Sequence, residues 1–165
     1  EGWLRGVLHG GVGDAATLPG TVCVVGSGET AVYQAIDAAT HARRVLLVAR
    51  GERLKAHALL RARLAAKRNV KLLFGWAPVE LLGRSRLTGI VLRRERRKER
   101  LSLPVDWLLV LAGQLPRELL ARGLSGPGFF KAGDVRLASH RQVAIAAADG
   151  VRAAMDCERF LNGHR

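Results

Sequence analysis

The sequence predicts an α/β fold built on a parallel sheet, and three observations carry the prediction. A Val-rich run, Thr21–Val25, ends on Gly26-Ser27-Gly28-Glu29-Thr30-Ala31, a G-x-G-x-x-A pattern. Apolar residues then recur at helical spacing through Ala31, Val32, Ala35, Ile36, Ala38 and Ala39. Two further apolar runs follow, Arg44–Val48 (RVLLV) and Val70–Phe74 (VKLLF), with a second helical pattern between them. Continuous apolar strands alternating with helices mark a sheet covered on both faces.

The first strand, glycine turn and helix open a Rossmann-like dinucleotide-binding βαβ unit. Gly26 permits the sharp turn. Gly28 lets the backbone approach a pyrophosphate, where a Cβ would collide with the ligand. Ala31 is small enough for close helix–strand packing. The pyrophosphate would rest on the free N–H groups and positive end of the helix. The alternative is a tight βα turn that holds no ligand.

Taken in order, residues 1–20 are expected as a loop segment. They carry Gly6, Gly10, Gly11 and Gly13, then Leu18-Pro19-Gly20 as a turn into the first strand. The first helix is expected from about Glu29 to His41 and the second from about Glu52 to Arg68, with Asn69 as its C-cap. The second helix would bury a stripe through Leu54, Ala58, Leu60 or Ala62, and Leu64, and turn Arg53, Lys55, Arg61, Arg63, Lys67 and Arg68 outward. Residues 78–82, 87–93 and 100–103 read as short strands of an antiparallel meander. Asp106–Leu111 (DWLLVL) is a buried strand returning to the sheet. Residues 21–112 thus form the nucleotide-binding domain. Beyond it, residues 113–165 hold a short helix and Gly/Pro-rich link over 117–127, a strand at Gly128–Ala132 and a final helix from about Arg141 to Leu161.

Composition narrows the function classes. No apolar run reaches the eighteen or so residues of a membrane span, and the first residues lack the apolar core of a signal peptide. The chain begins at Glu1 rather than Met, as a processed, trimmed or partial chain would. Cys23 and Cys157 are its only cysteines, far apart and without metal-ligand spacing. Both are expected as packing residues in a reducing compartment, the cytoplasm or an organelle matrix. The net charge of +13, from 27 Lys+Arg against 14 Asp+Glu, favours an acidic partner. The run Arg93-Arg94-Glu95-Arg96-Arg97-Lys98-Glu99-Arg100 falls at a hairpin turn. It is either a solvated loop or a docking patch for an acidic protein or RNA.

Five stretches in this order, VVGSGETA (24–31), VLLVARGERLKA (45–56), PVDWLLVLAG (104–113), FFKAGDV (129–135) and RQVAIAAADGVRAAMDCERFL (141–161), resemble the bacterial thioredoxin reductase family and its ferredoxin–NADP reductase relatives. The resemblance covers nearly the whole chain, and the last two motifs in tandem are its most specific part. It implies a NADPH-binding domain set into an FAD-binding domain, of which residues 113–165 would be the C-terminal remnant. By resemblance, Gly26, Ser27, Gly28, Glu29, Thr30 and Ala31 would hold the NADPH pyrophosphate. Arg50, Arg53 and Lys55 would meet the adenosine ribose and its phosphate, and Gly113 would also line the cofactor site. Gly133, Asp134, Arg141 and Gln142 would contact FAD. The local chemistry agrees on one point: an NAD site would end the second strand on an acid, whereas Arg50 suits a 2′-phosphate. NADPH is therefore favoured, with NADH as the alternative.

The departures from the family are informative. Its redox Cys-x-x-Cys would lie where this chain has Gly10 and Gly13, and Asp14 keeps the place of the proton donor. Without a thiolate there is no mixed-disulfide chemistry. The N-terminal half of the FAD domain is absent from these residues, so FAD requires another segment or chain, either a flavin-domain chain or a homodimer partner. The expected function is an NAD(P)H-dependent flavoprotein oxidoreductase, or part of one. It would pass electrons from NADPH through FAD to an external carrier such as ferredoxin rather than to a dithiol. The alternatives are a non-catalytic repurposed domain binding RNA or an acidic partner, and a stand-alone NAD(P)-binding regulatory domain.

Overall fold

A computed structural model describes residues 4–9, 15–94, 97–113, 123–136 and 142–163. The chain forms two compact units, Glu1–Gly113 and Gln114–Arg165. In the first unit the strands are β1 (Val7–His9), β2 (Thr21–Val25), β3 (Arg44–Ala49), β4 (Val70–Phe74), β5 (Trp76–Gly83), β6 (Leu87–Arg94), β7 (Arg100–Pro104) and β8 (Trp107–Val110). Its helices are α1 (Glu29–Ala38) and α2 (Ala58–Ala65). Five strands make an all-parallel sheet in the order β1-β8-β2-β3-β4, and β5-β6-β7 make the antiparallel meander.

Side-chain alternation divides the sheet into two faces. Val22, Val24, Val45, Leu47 and Leu109 pack with Ala31, Val32 and Ala35 of α1 and Leu64 of α2. Cys23, Val25, Leu46, Val48 and Leu108 face the other way and pack against Leu87, Ile90 and Leu92 of the meander. Burial on both faces is why these strands read as unbroken apolar runs. Each fully buried Leu or Val contributes roughly 1.5–3 kcal/mol over its exposed state, so the two layers hold the sheet that carries the glycine loop.

Asp106 fastens β8 to β2. The Thr21 N–H donates to its Oδ2 at 2.8 Å, and its own N–H donates to Thr21 O at 2.9 Å. Asn69 does not cap α2, whose C-cap is Ala66. Its Nδ2 instead donates to Ala39 O at 3.0 Å and Ala42 O at 2.9 Å, tying the end of α1 to the start of β4.

Three further differences from the sequence-based expectation have physical causes. Residues 1–20, expected as a loop, contain β1, which pairs in parallel with Leu108–Val110. A three-residue strand whose partner lies about a hundred residues on leaves no local signal. The second helix begins at Ala58 rather than Glu52, because residues 50–57 turn back over the glycine loop. The Lys55 N–H donates to Ser27 O at 2.7 Å there, a bond a helix could not make.

In the second unit Gly128–Ala132 is not a strand, since it has no ladder partner among the described residues. Phe130 instead packs edge-on against Phe160, their ring centres 6.1 Å apart. The final helix, α3, runs Val143–Gly163. A 3-10 turn at Gly133–Val135 precedes it. The short helix expected within 117–127 lies mostly outside the described residues. Among the described residues no helix is long and apolar enough to cross a membrane, and no cluster of three or more His, Cys, Asp or Glu could hold a metal ion.

Candidate functional site

In the parallel sheet, β3 and β4 lie to one side of β2, and β8 and β1 to the other. The order in which strands are laid down across the sheet therefore reverses between β2 and β8, all five running parallel. In open α/β sheets that switch leaves a crevice beyond the carboxyl ends of the strands, where ligands bind. Gly26-Ser27-Gly28 occupies this position, directly after β2.

The glycines of the loop serve different ends. Gly26 is buried with φ +153°, its N–H donating to Val48 O at 2.9 Å. A Cβ there would stand 2.5 Å from Leu111 O and 2.8 Å from the Ala31 Cβ. Gly26 and Ala31 are thus small for the same reason, the close approach of β2, α1 and the end of β8. Gly28 is the N-cap of α1, with extended φ −78°, ψ 179° and no side-chain cap. A Cβ at Gly28 would meet nothing within 4 Å. The protein itself does not require glycine here, and the space over the helix start is open.

The first helical N–H donated within α1 is that of Val32, to Gly28 O at 3.1 Å. The N–H groups of Glu29, Thr30 and Ala31 precede it at the positive end of the helix, free for an anion. Ser27 is half-buried, and Glu29 and Thr30 are exposed. The Glu29 carboxylate stands 3.8 Å from His57 Nε2. Sequence reasoning missed this pairing, because His57 enters only through the fold-back of residues 50–57.

The cations meet the loop unequally. Arg50 follows the carboxyl end of β3 and is exposed. Lys55 is held beside Ser27 through its backbone, with its side chain in solvent. Arg53 is exposed and lines a separate groove under α2. Gly113 follows β8 with φ +103° and open space around it. The Lys55 N–H to Ser27 O bond lays residues 50–57 against the glycine loop, and Arg53 lines the groove beside α2.

In the second unit, Asp134 sits exposed in the 3-10 turn and Gln142 is exposed just before α3. Arg141 lies outside the described residues, as do Gly10–Asp14. The turn is held by Asp149, a residue that carries no motif or spacing to single it out. The Asp149 side chain is 7% exposed, and its Oδ1 accepts from Arg136 Nη2 at 2.6 Å. Its Oδ2 accepts from Arg136 Nε at 2.8 Å and from the Gly133 N–H at 3.0 Å. The bidentate Arg136 bonds, with help from the Gly133 N–H, hold the Asp149 carboxyl below its ordinary range despite burial. Asp134 and Gln142 are too few to hold a flavin dinucleotide by themselves.

Neither cysteine forms a redox pair. Both are free thiols, and burial pushes Cys23 up to about 12, which leaves it protonated and inert.

The family model for pyridine nucleotide-disulphide oxidoreductases matches residues 12–150, and the chain belongs to that family. Within it, the thioredoxin reductase of Eremothecium gossypii is 30% identical over 182 residues, covering 97% of this chain and 57% of that protein. That of Coxiella burnetii is 32% identical over 184 residues, covering 92% and 58%. The crystal structure of Lactococcus lactis thioredoxin reductase superposes with a TM-score of 0.82 at 22% identity, over 96% of this chain and 59% of that one. At that identity the likeness is one of fold. The fold is the thioredoxin-reductase-like α/β arrangement of a parallel sheet with a small antiparallel one, and the chain spans somewhat over half the length of these relatives.

Proposed function

We propose that this chain supplies the NADPH-binding domain and a C-terminal part of the flavin domain of a thioredoxin-reductase-like flavoprotein oxidoreductase, and that the acceptor is an external carrier rather than a dithiol. The observation that carries the NADPH part is the contrast between two glycines. Gly26 is fixed by packing, whereas Gly28 faces open space at a helix start with free N–H groups, at the switch point of the sheet. Open space where the protein itself needs no glycine suits a bound pyrophosphate.

Each residue then has a stated task. The N–H groups of Glu29, Thr30 and Ala31 would donate to the pyrophosphate oxygens. Arg50 would pair with the 2′-phosphate, which favours NADPH over NADH. The bond from the Lys55 N–H to Ser27 O keeps the Arg50 loop against the glycine loop, so one movement cannot separate the two contacts. A nicotinamide held there would supply hydride chemistry, and a flavin would accept it only where another segment or chain completes the site that Asp134 and Gln142 begin. The exclusion of a dithiol rests on Gly10 and Gly13 in place of the family's cysteines, and on the inert Cys23.

The test is anaerobic reduction in the full protein, with any chain that completes the flavin site present. NADPH should bleach the flavin and support reduction of a one-electron dye, but not of an aromatic disulfide. Failure to hold flavin or to oxidise NADPH would overturn the assignment, and rapid disulfide turnover would overturn its acceptor.

A further inference from the structure

The sequence offers the Arg93–Arg100 run either as a solvated loop or as a docking patch for an acidic protein or RNA. In the structure much of that charge is already answered. Arg94 lies 3.4 Å and Arg97 3.9 Å from the Glu99 carboxylate, and Arg100 lies 3.0 Å from Glu80. Arg94 also stacks over Trp76, 5.3 Å from the ring centre.

A different surface keeps its charge. A groove of about 330 Å³ runs between α2 and β4. Its floor is apolar, made by Leu54, Leu64, Val70, Leu72 and Phe74, and its rim carries three cations, Arg53, Arg61 and Lys67, against one acid, Glu52. None of these three cations has a carboxylate partner among the described residues. Leu72 is 40% exposed, a large aliphatic side chain left open to water.

The backbone beside the groove is also unmet. Among the described residues β4 is the last strand of the sheet. Its inner edge is spoken for: the Val45 N–H donates to Asn69 O at 2.9 Å, and the Gly75 N–H to Ala49 O at 2.8 Å. Strand alternation then turns the N–H and C=O groups of Val70 and Leu72 outward. The same alternation puts Val70, Leu72 and Phe74 on the groove face. Leu73 packs toward the meander, and Lys71 is exposed on that opposite face.

We infer that the β4 edge and the α2 groove form a docking site for an extended acidic segment of another protein, which adds as a strand beside β4. Alternate apolar side chains of the segment enter the groove. The acidic ones between them meet Lys71, and those at its ends meet Arg53 and Lys67. A free strand edge and an apolar floor fit a polypeptide, whose main chain supplies the missing hydrogen bonds. Nucleic acid would need base-stacking aromatics along a charged track, and this groove offers only Phe74. A second copy of this chain is disfavoured by its charge of +13.

The test uses the whole chain and a fluorescent eight-residue peptide alternating Val and Glu, read by anisotropy. Saturable binding is expected. It should weaken about tenfold or more between roughly 0.05 and 0.5 M salt, and by a similar factor in Lys67→Glu/Lys71→Glu. Leu72→Pro should abolish it, since it removes an outward N–H while leaving the bonds to β3 intact. The double charge variant leaves the apolar floor untouched, so it decides the question even if Leu72→Pro folds poorly. Absence of saturable binding, or binding unchanged by the charge variant, would overturn the inference. So would loss of binding in Arg97→Glu/Arg100→Glu instead, or an oligouridine that binds the same groove more tightly than the peptide.

Discussion

Replacing each loop glycine by alanine separates packing from ligand binding. At Gly26 the new methyl group would lie 2.5 Å from Leu111 O and 2.8 Å from the Ala31 Cβ, with φ at +153°. A side chain held at such a φ costs roughly 1–3 kcal/mol. Forcing a methyl group into a filled site costs roughly 1–3 kcal/mol more, and partial relaxation of the loop leaves an expected loss of about 3 kcal/mol. At Gly28 the backbone is extended and nothing lies within 4 Å. A slightly poorer N-cap is offset by a less flexible unfolded chain, so stability should change by less than about 0.5 kcal/mol. NADPH binding should nevertheless weaken about tenfold or more in Gly28→Ala, because the methyl group enters the space over the free helical N–H groups. Urea unfolding followed by circular dichroism measures the first effect, and nucleotide titration of the folded variants the second. Equal stability losses at the two positions, or a Gly28→Ala protein with unchanged affinity, would refute this division of roles.

Other outcomes follow from single contacts. Arg50→Glu should raise the NADPH dissociation constant about ten- to hundredfold while leaving NADH nearly unaffected, since it removes one charge-assisted phosphate contact; comparative titration of both nucleotides checks it. Asn69→Ala removes the two bonds to Ala39 O and Ala42 O and should cost about 1–2 kcal/mol in urea unfolding. Cys23 should resist alkylation in the folded protein at pH 8 and react only with unfolding, as mass spectrometry after a timed quench would show. The Asp149 carboxyl is lowered by its Arg136 bonds, so its contribution to stability is fully present above the unfolded carboxyl value of about 3.9 and is lost as pH falls through the lower folded value. Acid titration of helical ellipticity should show that loss below about pH 4, and Asp149→Asn should remove that part of the pH dependence.

The parts of the fold legible in the sequence are those with a local signature. The Val-rich strand, the glycine pattern and the alanine stripe of α1 lie within twenty residues of one another, and each constrains the next. The meander shows in its turn residues and short apolar runs. What stayed hidden depends on distant partners. β1 exists because β8 lies beside it. Residues 50–57 leave the helix because Ser27 offers a carbonyl to Lys55. Asn69 bonds the end of α1 rather than its own neighbour. The tight turn at Gly26 and the helix start at Gly28 were legible from the motif, whereas the bond from Lys55 to Ser27 was not. That Arg53 also lines the groove beside α2 depends on the fold-back of residues 50–57 and leaves no local signal. Asp149 was invisible because an acid in the middle of an alanine-rich helix looks solvated until Arg136 and the Gly133 N–H are brought against it.

The most direct test of the central claim is an equilibrium titration of the purified chain with NADPH, with NADH alongside and a Gly28→Val variant as control. The account predicts micromolar NADPH binding, weaker NADH binding and loss of both in the variant. Absence of binding by either nucleotide up to millimolar concentration would mean that the glycine loop is only a turn between β2 and α1, and would contradict the account.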